Sequence, residues 1–248
     1  IQDAQHIEYS PSLLRPKFVE FKSSTSNFRM AVSNPLEVMK EILALKSNEN
    51  LVSYKQETDE QGFIHTRYHQ LYKNIPVEGG EYIAHQKNGK LDCINGEFLT
   101  IGEISVTPSL NESAALAKAL SFVGAKRYKW DNKEEIANLR EAFGDPNFNY
   151  DPTGELVIYP KNRQISDNAE FCLAYKFNIY ADMPESRAYI FVNAQTGEIV
   201  GREELIHTVD TPGKAHTKYS GEQTITVDKV SATSYRLRET GRGNGINT

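Results

Sequence analysis

The chain has 248 residues, of which 39% are hydrophobic and 25% charged, and its formal net charge is −5. This length is enough for two compact domains, and the composition is that of a soluble globular protein. The negative charge and the lack of a basic stripe disfavour a nucleic-acid partner. No apolar run approaches the roughly 20 residues needed to cross a bilayer. The sequence therefore predicts a globular protein with neither a nucleic-acid nor a membrane partner.

Residues 1–32 show no sustained hydrophobic period and are interpreted as a leader that contains one strand. Their first ten residues are mixed and polar, so they lack the apolar core of a signal peptide. An exported protein would already have lost its signal. A helix is then predicted to begin at Asn34-Pro35, because a capping residue precedes a proline in the first turn, and to end near Ser47.

Strand patterns follow that helix. The predicted strands are 51–55, 63–72, 81–85 and 91–98, and Asn88-Gly89 between the last two is a hairpin turn with positive φ. A helix followed by antiparallel strands is typical of an α+β module, which is assigned to residues 33–105.

The same order of elements restarts in residues 106–207. Helices are predicted over 111–123, where Ser109 and Glu112 have capping-box spacing, and over 133–143. Strands are predicted over 155–159, 170–180, 187–193 and 198–205. The hairpin patterns at 82–91 and 189–199 are similar, which indicates either an internal repeat or two ordinary hairpins. The predicted fold is α+β, with two helix-on-antiparallel-sheet, cystatin-like modules in tandem.

The last forty or so residues are polar. Residues 208–217 contain Pro212-Gly213 and are interpreted as a cleavable linker. Residues 218–248 hold two strand patterns, 219–227 and 234–238, which are too short to form a core of their own. They are therefore predicted to be a β-hairpin tail that opens a third domain.

Sequence patterns that could support catalysis are few. His65 and His69 would bind zinc together on a helix, but Thr66 stands where a metalloprotease has its glutamate. The segment alternates like a strand, on which the two histidines would be roughly 13 Å apart. A half-exposed strand face is therefore favoured over a metal site. Paired acidic residues at 134–135 and 203–204 are typical of solvated faces, and Cys93 and Cys172 could form one disulfide or stay as free thiols.

One segment carries a family resemblance. Residues 67–80, Arg-Tyr-His-Gln-Leu-Tyr-Lys-Asn-Ile-Pro-Val-Glu-Gly-Gly, closely resemble the fungalysin/thermolysin propeptide signature. Residues 107–206 are similar to the PepSY module that usually follows it, through 173–177 and 189–199. The tail, through 219–225, 235–238 and 242–246, is similar to the first strands of a thermolysin-like peptidase domain.

The resemblance implies a pro-region of a secreted zinc metalloprotease, which acts as an intramolecular chaperone and inhibitor until it is cleaved. Its partner would be the cognate catalytic domain. Because the family's zinc site lies downstream, no catalytic activity is carried over, and zinc and calcium are expected only in the peptidase domain. The motif residues could contact the protease or buttress their own hairpin; they are Arg67, Gln70, Tyr72, Pro76 and Val77.

Cleavage is expected within residues 204–213. The family favours an apolar residue just after the cut bond, which points to Leu205, Ile206 and Val209; His207 and Thr208 lie between them. The alternative function is a stand-alone secreted inhibitor or a cell-surface interaction module. An enzyme with a small-molecule pocket is a further alternative, for which His85 and Asp92 are the strand-borne candidates.

Overall fold

The computed structural model describes residues 4–9, 14–21, 34–161, 169–205, 210–217, 221–229, 235–236, 238–239 and 246–247. The chain divides into two compact units. The first contains Ile1–Phe122, Thr153–Phe177 and Ile190–Gly201, and the second contains Val123–Pro152, Asn178–Tyr189 and Arg202–Thr248. A mixed α+β architecture is confirmed. The tandem cystatin-like arrangement, its boundaries and the hairpin tail stay predictions.

The N-terminal residues of the first unit form two strands where one was predicted. Strand β1 (Ala4–Tyr9) pairs antiparallel with β2 (Pro16–Phe21), and β2 pairs with a later strand of the same sheet. Val19 of β2 is completely buried, so this segment contributes to the core. The sequence does not locate the expected strand, because only the partner strand shows which face of so short a segment is covered.

Helix α1 (Pro35–Ile42) begins where the sequence predicts. The side chain of Asn34 accepts a hydrogen bond from the backbone N–H of Leu36, and Pro35 occupies the first turn. The helix ends at Ile42, earlier than the predicted Ser47, because Ala44 adopts a left-handed conformation with φ of 47°. Met39 and Leu43 are buried on its inner face.

Four antiparallel strands follow α1: β3 (Glu49–Thr58), β4 (Phe63–Tyr72), β5 (Ile75–Lys87) and β6 (Lys90–Glu97). Strand β4 lies between β3 and β5, β6 pairs with β5, and β2 pairs with β6. The predicted turn at Asn88-Gly89 is confirmed, with φ of 52° and 70°. Residues of one sheet face and of α1 form the core, which includes Val19, Met39, Leu43, Leu51, Tyr68, Tyr82, Ala84, Leu91, Ile94 and Phe98.

The first unit also holds α2 (Glu112–Val123) up to Phe122 and strand β8 (Gly154–Pro160). The predicted capping box is wrong: Asn111 caps α2 by accepting from the N–H of Ala114 at 2.8 Å, and Glu112 instead accepts from the N–H of Gly154. Strand β8 pairs in parallel with β5 at Val77 and Ile158. It pairs antiparallel with β9 (Phe171–Met183), which β10 (Glu185–Asn193) and β11 (Ile199–Glu204) follow in the sheet.

The second unit contains β7 (Arg127–Tyr128) and α3 (Lys133–Phe143), whose predicted bounds are confirmed. Asn132 caps the start of α3, and Gly144 ends it with φ of 65°. The α-helices of the described residues have eight to twelve residues, and none has the length and apolar character that a membrane span requires.

Part of the predicted linker is a strand. Strand β12 (Asp210–Thr217) pairs along its whole length with β13 (Gly221–Lys229). Pro212 lies in β12, which has a neighbour on one side only among the described residues, and such an edge position is where a sheet tolerates proline. The short strands β14 (Tyr235–Arg236), β15 (Arg238–Glu239) and β16 (Ile246–Asn247) follow.

Candidate functional site

The segment 67–80 forms a tight hairpin between β4 and β5. Lys73 and Asn74 adopt positive φ of 47° and 67° and connect Tyr72 to Ile75, which are paired across the two strands. The sequence predicted a strand that starts only at Glu81, whereas β5 runs unbroken from Ile75. The sequence did not locate the turn of this hairpin at Lys73-Asn74, because the pair lacks the glycine by which such turns are usually recognised.

Gln70 is an internal clamp. Its side chain is completely buried; Nε2 donates to the carbonyl of Leu99 at 2.7 Å, and Oε1 accepts from the N–H of Leu99 at 2.8 Å. The amide thus satisfies both backbone groups of a fully buried residue as a neighbouring strand would. A Cβ atom at Gly80 would lie 2.5 Å from Oε1 of Gln70, so glycine there makes room for the clamp.

Tyr72, Pro76 and Val77 belong to the same β4–β5 hairpin as Gln70. Tyr72 is fully buried and Val77 nearly so, and Val77 is the residue at which β5 pairs with β8. Next to it, Glu78 accepts a hydrogen bond from Nζ of Lys176 on β9 at 2.6 Å. The positions of Gln70, Tyr72 and Val77 favour the interpretation that the motif buttresses its own fold; contact with a protease through these residues stays a prediction.

Arg67 lies on the opposite, outer face of the sheet. Its Nη1 donates to Oε1 of Glu81 at 2.8 Å, and about a third of each side chain is exposed. Tyr54 of the edge strand β3 donates its hydroxyl proton to the other oxygen of Glu81 and stacks on His69, with the ring centroids 3.7 Å apart. Burial, followed by the hydrogen bond to Glu81, raises the pKa of Tyr54, so its hydroxyl remains a donor at neutral pH.

A cleft of about 300 Å³ opens where this outer face meets the motif hairpin. It is lined by His69 of β4, by the Pro76–Glu81 segment of β5, and by Glu155 and Lys176. Its charged groups are mostly committed to each other, since Glu78 is paired with Lys176 and Glu81 with Arg67. No serine, threonine, cysteine or tyrosine lines the cleft, and its lysine, Lys176, is held in an ion pair with Glu78.

The two histidines of the His65–His69 segment lie on a strand, as predicted. His69 stacks on Tyr54, whereas His65 contacts His85 on β5. In the described part of the chain, no group of three or more histidine, cysteine or acidic side chains could hold a metal ion. His85 was considered as a candidate pocket residue; it lies half-buried on the outer face, beside His65 and Asn95.

Both cysteines are free thiols, one of the two alternatives left open by the sequence. Cys93 is half-buried on β6, and Cys172 is buried on β9. Burial raises the pKa of each thiol to about 11. Both therefore remain protonated at neutral pH and are poor nucleophiles.

The cleavage region falls mostly outside the described residues, which include Leu205 but not Ile206, His207, Thr208 or Val209. Leu205 is 39% exposed, and its N–H donates to the carbonyl of Arg187 at 2.8 Å. Its side chain is thus accessible, while its backbone is held at the end of β11.

Comparison with known proteins gives a consistent picture. Residues 49–98 match the family model of the Fungalysin/Thermolysin Propeptide Motif. A transglutaminase-activating metalloprotease of Streptomyces mobaraensis is 25% identical over 81% of this chain and 23% of its own length. Thermolysin of Alicyclobacillus acidocaldarius subsp. acidocaldarius is 27% identical over 63% of this chain and 26% of its own length. Bacillolysin of Bacillus amyloliquefaciens is 24% identical over 80% and 35%, respectively.

Among solved structures, the C-terminal domain of Bacillus megaterium YpeB covers 77% of this chain and 72% of that chain, with 12% identity and a TM-score of 0.36. The chain spans about a quarter to a third of the length of these three protease relatives. It therefore carries a propeptide motif and is similar over much of its length to part of each of these proteases. The PepSY assignment of residues 106–207 stays a prediction.

Proposed function

We propose that this chain is the pro-region of a secreted thermolysin-like metalloprotease, which assists folding of the catalytic domain and inhibits it until cleavage. The observation that carries the proposal is the match of residues 49–98 to the propeptide motif. The alignments with proteases over most of this chain support it. A PepSY-type module over 106–207 belongs to the same proposal, and zinc and calcium are assigned to the catalytic domain.

Elementary physics makes both roles of a pro-region compatible. A protease domain rich in long-range contacts folds slowly, and a prefolded partner that binds its native arrangement lowers the free energy of that state. The same bound surface can cover the substrate cleft. A tethered inhibitor acts at a high effective concentration, and cutting the tether removes that advantage.

The surface proposed to contact the protease is the outer face of the sheet, which carries accessible side chains of the motif strands. The inner-side motif residues Gln70, Tyr72 and Val77 are buried, whereas Arg67 and His69 are accessible on the outer face, beside Glu81 and Tyr54. Lys73 and Asn74 are accessible at the turn. Tyrosine and arginine are the residue types that contribute most to binding at protein interfaces. Val52, 45% exposed on the same edge strand, extends this face.

Inhibition in trans tests the proposal. The full chain is titrated against the mature protease released from its own precursor, with a small peptide as substrate. Stoichiometric loss of activity, followed by recovery as the chain is degraded, is expected. In parallel, denatured protease is diluted into buffer with and without the chain, and the recovered activity should be higher with it. A folded, intact chain that does neither at micromolar concentration would favour the interaction module.

A pair of variants locates the contact. Arg67→Ala should weaken inhibition by about ten-fold or more if the outer face binds the protease, since hot-spot side chains contribute more than about 1.4 kcal/mol. Lys40→Ala is the matched control, because Lys40 is as exposed as Arg67 and is also paired with a glutamate, Glu37, but lies on α1, which packs on the other face of the sheet. Equal inhibition constants for the two variants would place the contact elsewhere. Urea unfolding of both variants checks that each remains folded.

Processing gives a separate test. Because apolar residues are expected just after the cut bond, the mature enzyme should begin at Leu205, Ile206 or Val209. N-terminal sequencing of the enzyme secreted from the full-length precursor measures this directly. An N-terminus outside residues 204–213 would refute the predicted cleavage site but would leave the pro-region proposal unaffected.

A further inference from the structure

Two histidines on neighbouring strands of the first unit turn the same ring nitrogen toward each other. His65 on β4 and His85 on β5 are direct cross-strand partners, so the register of the sheet holds them side by side. Nδ1 of His65 lies 2.6 Å from Nδ1 of His85, and the ring centroids are 4.8 Å apart. The two rings therefore converge on one point of the outer sheet face.

The other nitrogen of each ring lies next to an oxygen acceptor. Nε2 of His65 is 3.1 Å from Oδ2 of Asp59, and Nε2 of His85 is 2.6 Å from Oδ1 of Asn95 on β6. A neutral imidazole that donates its Nε2 proton has its lone pair on Nδ1. Metal-binding histidines are almost always oriented in this way, by a hydrogen bond from the ring nitrogen that does not bind the metal.

Asp59 is well placed to orient His65. The backbone N–H of Phe63, and then His65, lower the pKa of Asp59, so its carboxylate is ionised at neutral pH and only accepts hydrogen bonds. Its Oδ1 accepts from the N–H groups of Gln61 and Phe63, both at 2.9 Å. The turn before β4 thus fixes the carboxylate, and the carboxylate favours the form of His65 that leaves Nδ1 free to bind a cation.

The separation of the two Nδ1 atoms is close to the separation that a metal site requires. Zinc–nitrogen bonds are about 2.0–2.1 Å long, so two nitrogen ligands of a tetrahedral site lie about 3.3 Å apart. From their contact at 2.6 Å, the two atoms need to separate by only about 0.7 Å. Both side chains are partly exposed, His65 by 27%, so an ion in solution can reach the pair.

The ligand chemistry limits the kind of ion. Imidazole nitrogen suits Zn²⁺, Cu²⁺ and Ni²⁺, whereas Mg²⁺ and Ca²⁺ prefer oxygen ligands. Where the structure describes the chain, no third histidine, cysteine or acidic side chain joins the pair in a metal-binding group. The chain therefore supplies two ligands, and water or a donor from a partner completes the coordination.

We infer that His65 and His85 form a binding site for a divalent transition-metal ion, which links β4 to β5 on the outer face through the two Nδ1 atoms. The inference goes beyond the proposed function and does not depend on it. The second histidine of the site is not His69, four residues along the same strand, because the ring of His69 stacks on Tyr54.

Calorimetric titration of the full, tag-free chain with Zn²⁺ tests the inference, with Cu²⁺ in parallel. We expect binding that requires both histidines, is tighter for Cu²⁺ than for Zn²⁺, and persists in a large excess of Ca²⁺. His65→Ala and His85→Ala should each weaken Zn²⁺ binding by at least about ten-fold, since loss of even an outer-shell partner costs about 10–100-fold.

His69→Ala is the matched control, because it removes a histidine of the same strand and face that lies outside the pair. Its affinity for Zn²⁺ should equal that of the wild type. Equal affinities in all four chains would identify an adventitious ion only and would overturn the inference. Urea unfolding without metal checks that each variant is folded.

Nitrogen NMR of the wild-type imidazoles provides a readout that needs no substitution. On addition of Zn²⁺, the Nδ1 resonances of His65 and His85 should shift together, while both Nε2 atoms keep their protons. Shifts confined to other histidines, or to only one ring of the pair, would overturn the inference even if an alanine variant failed to fold.

Discussion

Replacing Gln70 by alanine should destabilise the first unit more than its single side chain suggests. The amide makes two short hydrogen bonds, to the N–H and to the carbonyl of Leu99, and both residues are 0% exposed. Alanine leaves both backbone groups without a partner inside the core. Each such group costs about 1–3 kcal/mol, so the expected loss in the free energy of unfolding is about 2–6 kcal/mol. The vacated volume adds to that loss.

Urea unfolding of the full chain, followed by circular dichroism, measures the change as a lower midpoint at an unchanged slope. Gln56→Ala on the neighbouring strand is the control, because Gln56 is exposed and makes one hydrogen bond to Thr66. Gln70→Glu keeps the shape but turns the donor into an oxygen that faces the Leu99 carbonyl, so it should destabilise as much as alanine. A Gln70→Ala loss below about 1 kcal/mol, equal to that of Gln56→Ala, would refute the clamp.

Two further changes test packing of the same unit in urea unfolding. Glu49→Ala removes the carboxylate that binds Arg15; the Glu49 and Arg15 side chains are 1% and 12% exposed, so the free energy of unfolding should fall by about 3–5 kcal/mol. Glu37→Ala, at an exposed ion pair, should lower it by less than about 1 kcal/mol. Similar losses in the two variants would contradict a stabilising role for the buried pair. Gly80→Ala should destabilise the first unit, since the added Cβ would lie 2.5 Å from Oε1 of Gln70. Gly102→Ala is the control, because a Cβ there meets open space and should leave the urea midpoint unchanged. Equal midpoints for the two variants would refute the close packing at Gly80.

Elements whose signals are local could be predicted from the sequence. The residues that begin and end helix α3 are both local to it: Asn132 caps its start, and Gly144 ends it in a left-handed conformation. The predicted bounds of α3 are confirmed. The turn at Asn88-Gly89 is equally local, because these residue types tolerate positive φ. Such features depend on a few neighbouring residues and need no knowledge of the rest of the chain.

Features that depend on strand pairing could not be predicted. One strand is expected somewhere in residues 1–32, but the position of β2 and the burial of Val19 depend on its pairing with β6, more than seventy residues later. His65 and His85 are each visible as outward-facing positions, but their contact requires the register between β4 and β5. The same holds for Gln70 and Leu99, since nothing in either local pattern indicates that an amide side chain replaces a strand there.

The hydrogen bonds of Gln70 also indicate whether the motif residues act inside the fold or on a contact surface. A family signature that consists of surface contacts would vary with each partner, whereas Gln70, Tyr72 and Val77 act inside the fold. Gln70 binds the backbone of Leu99, and Val77 is the residue at which β5 pairs with β8, so these buried residues belong to the strands that carry Arg67 and Glu81 on the outer face. In this chain, these three motif residues therefore lie inside the fold, and a contact between the outer face and a protease stays a proposal. For this reason, loss of inhibition in a Gln70 variant would measure unfolding, and only outer-face variants of unchanged stability can locate the contact with a protease.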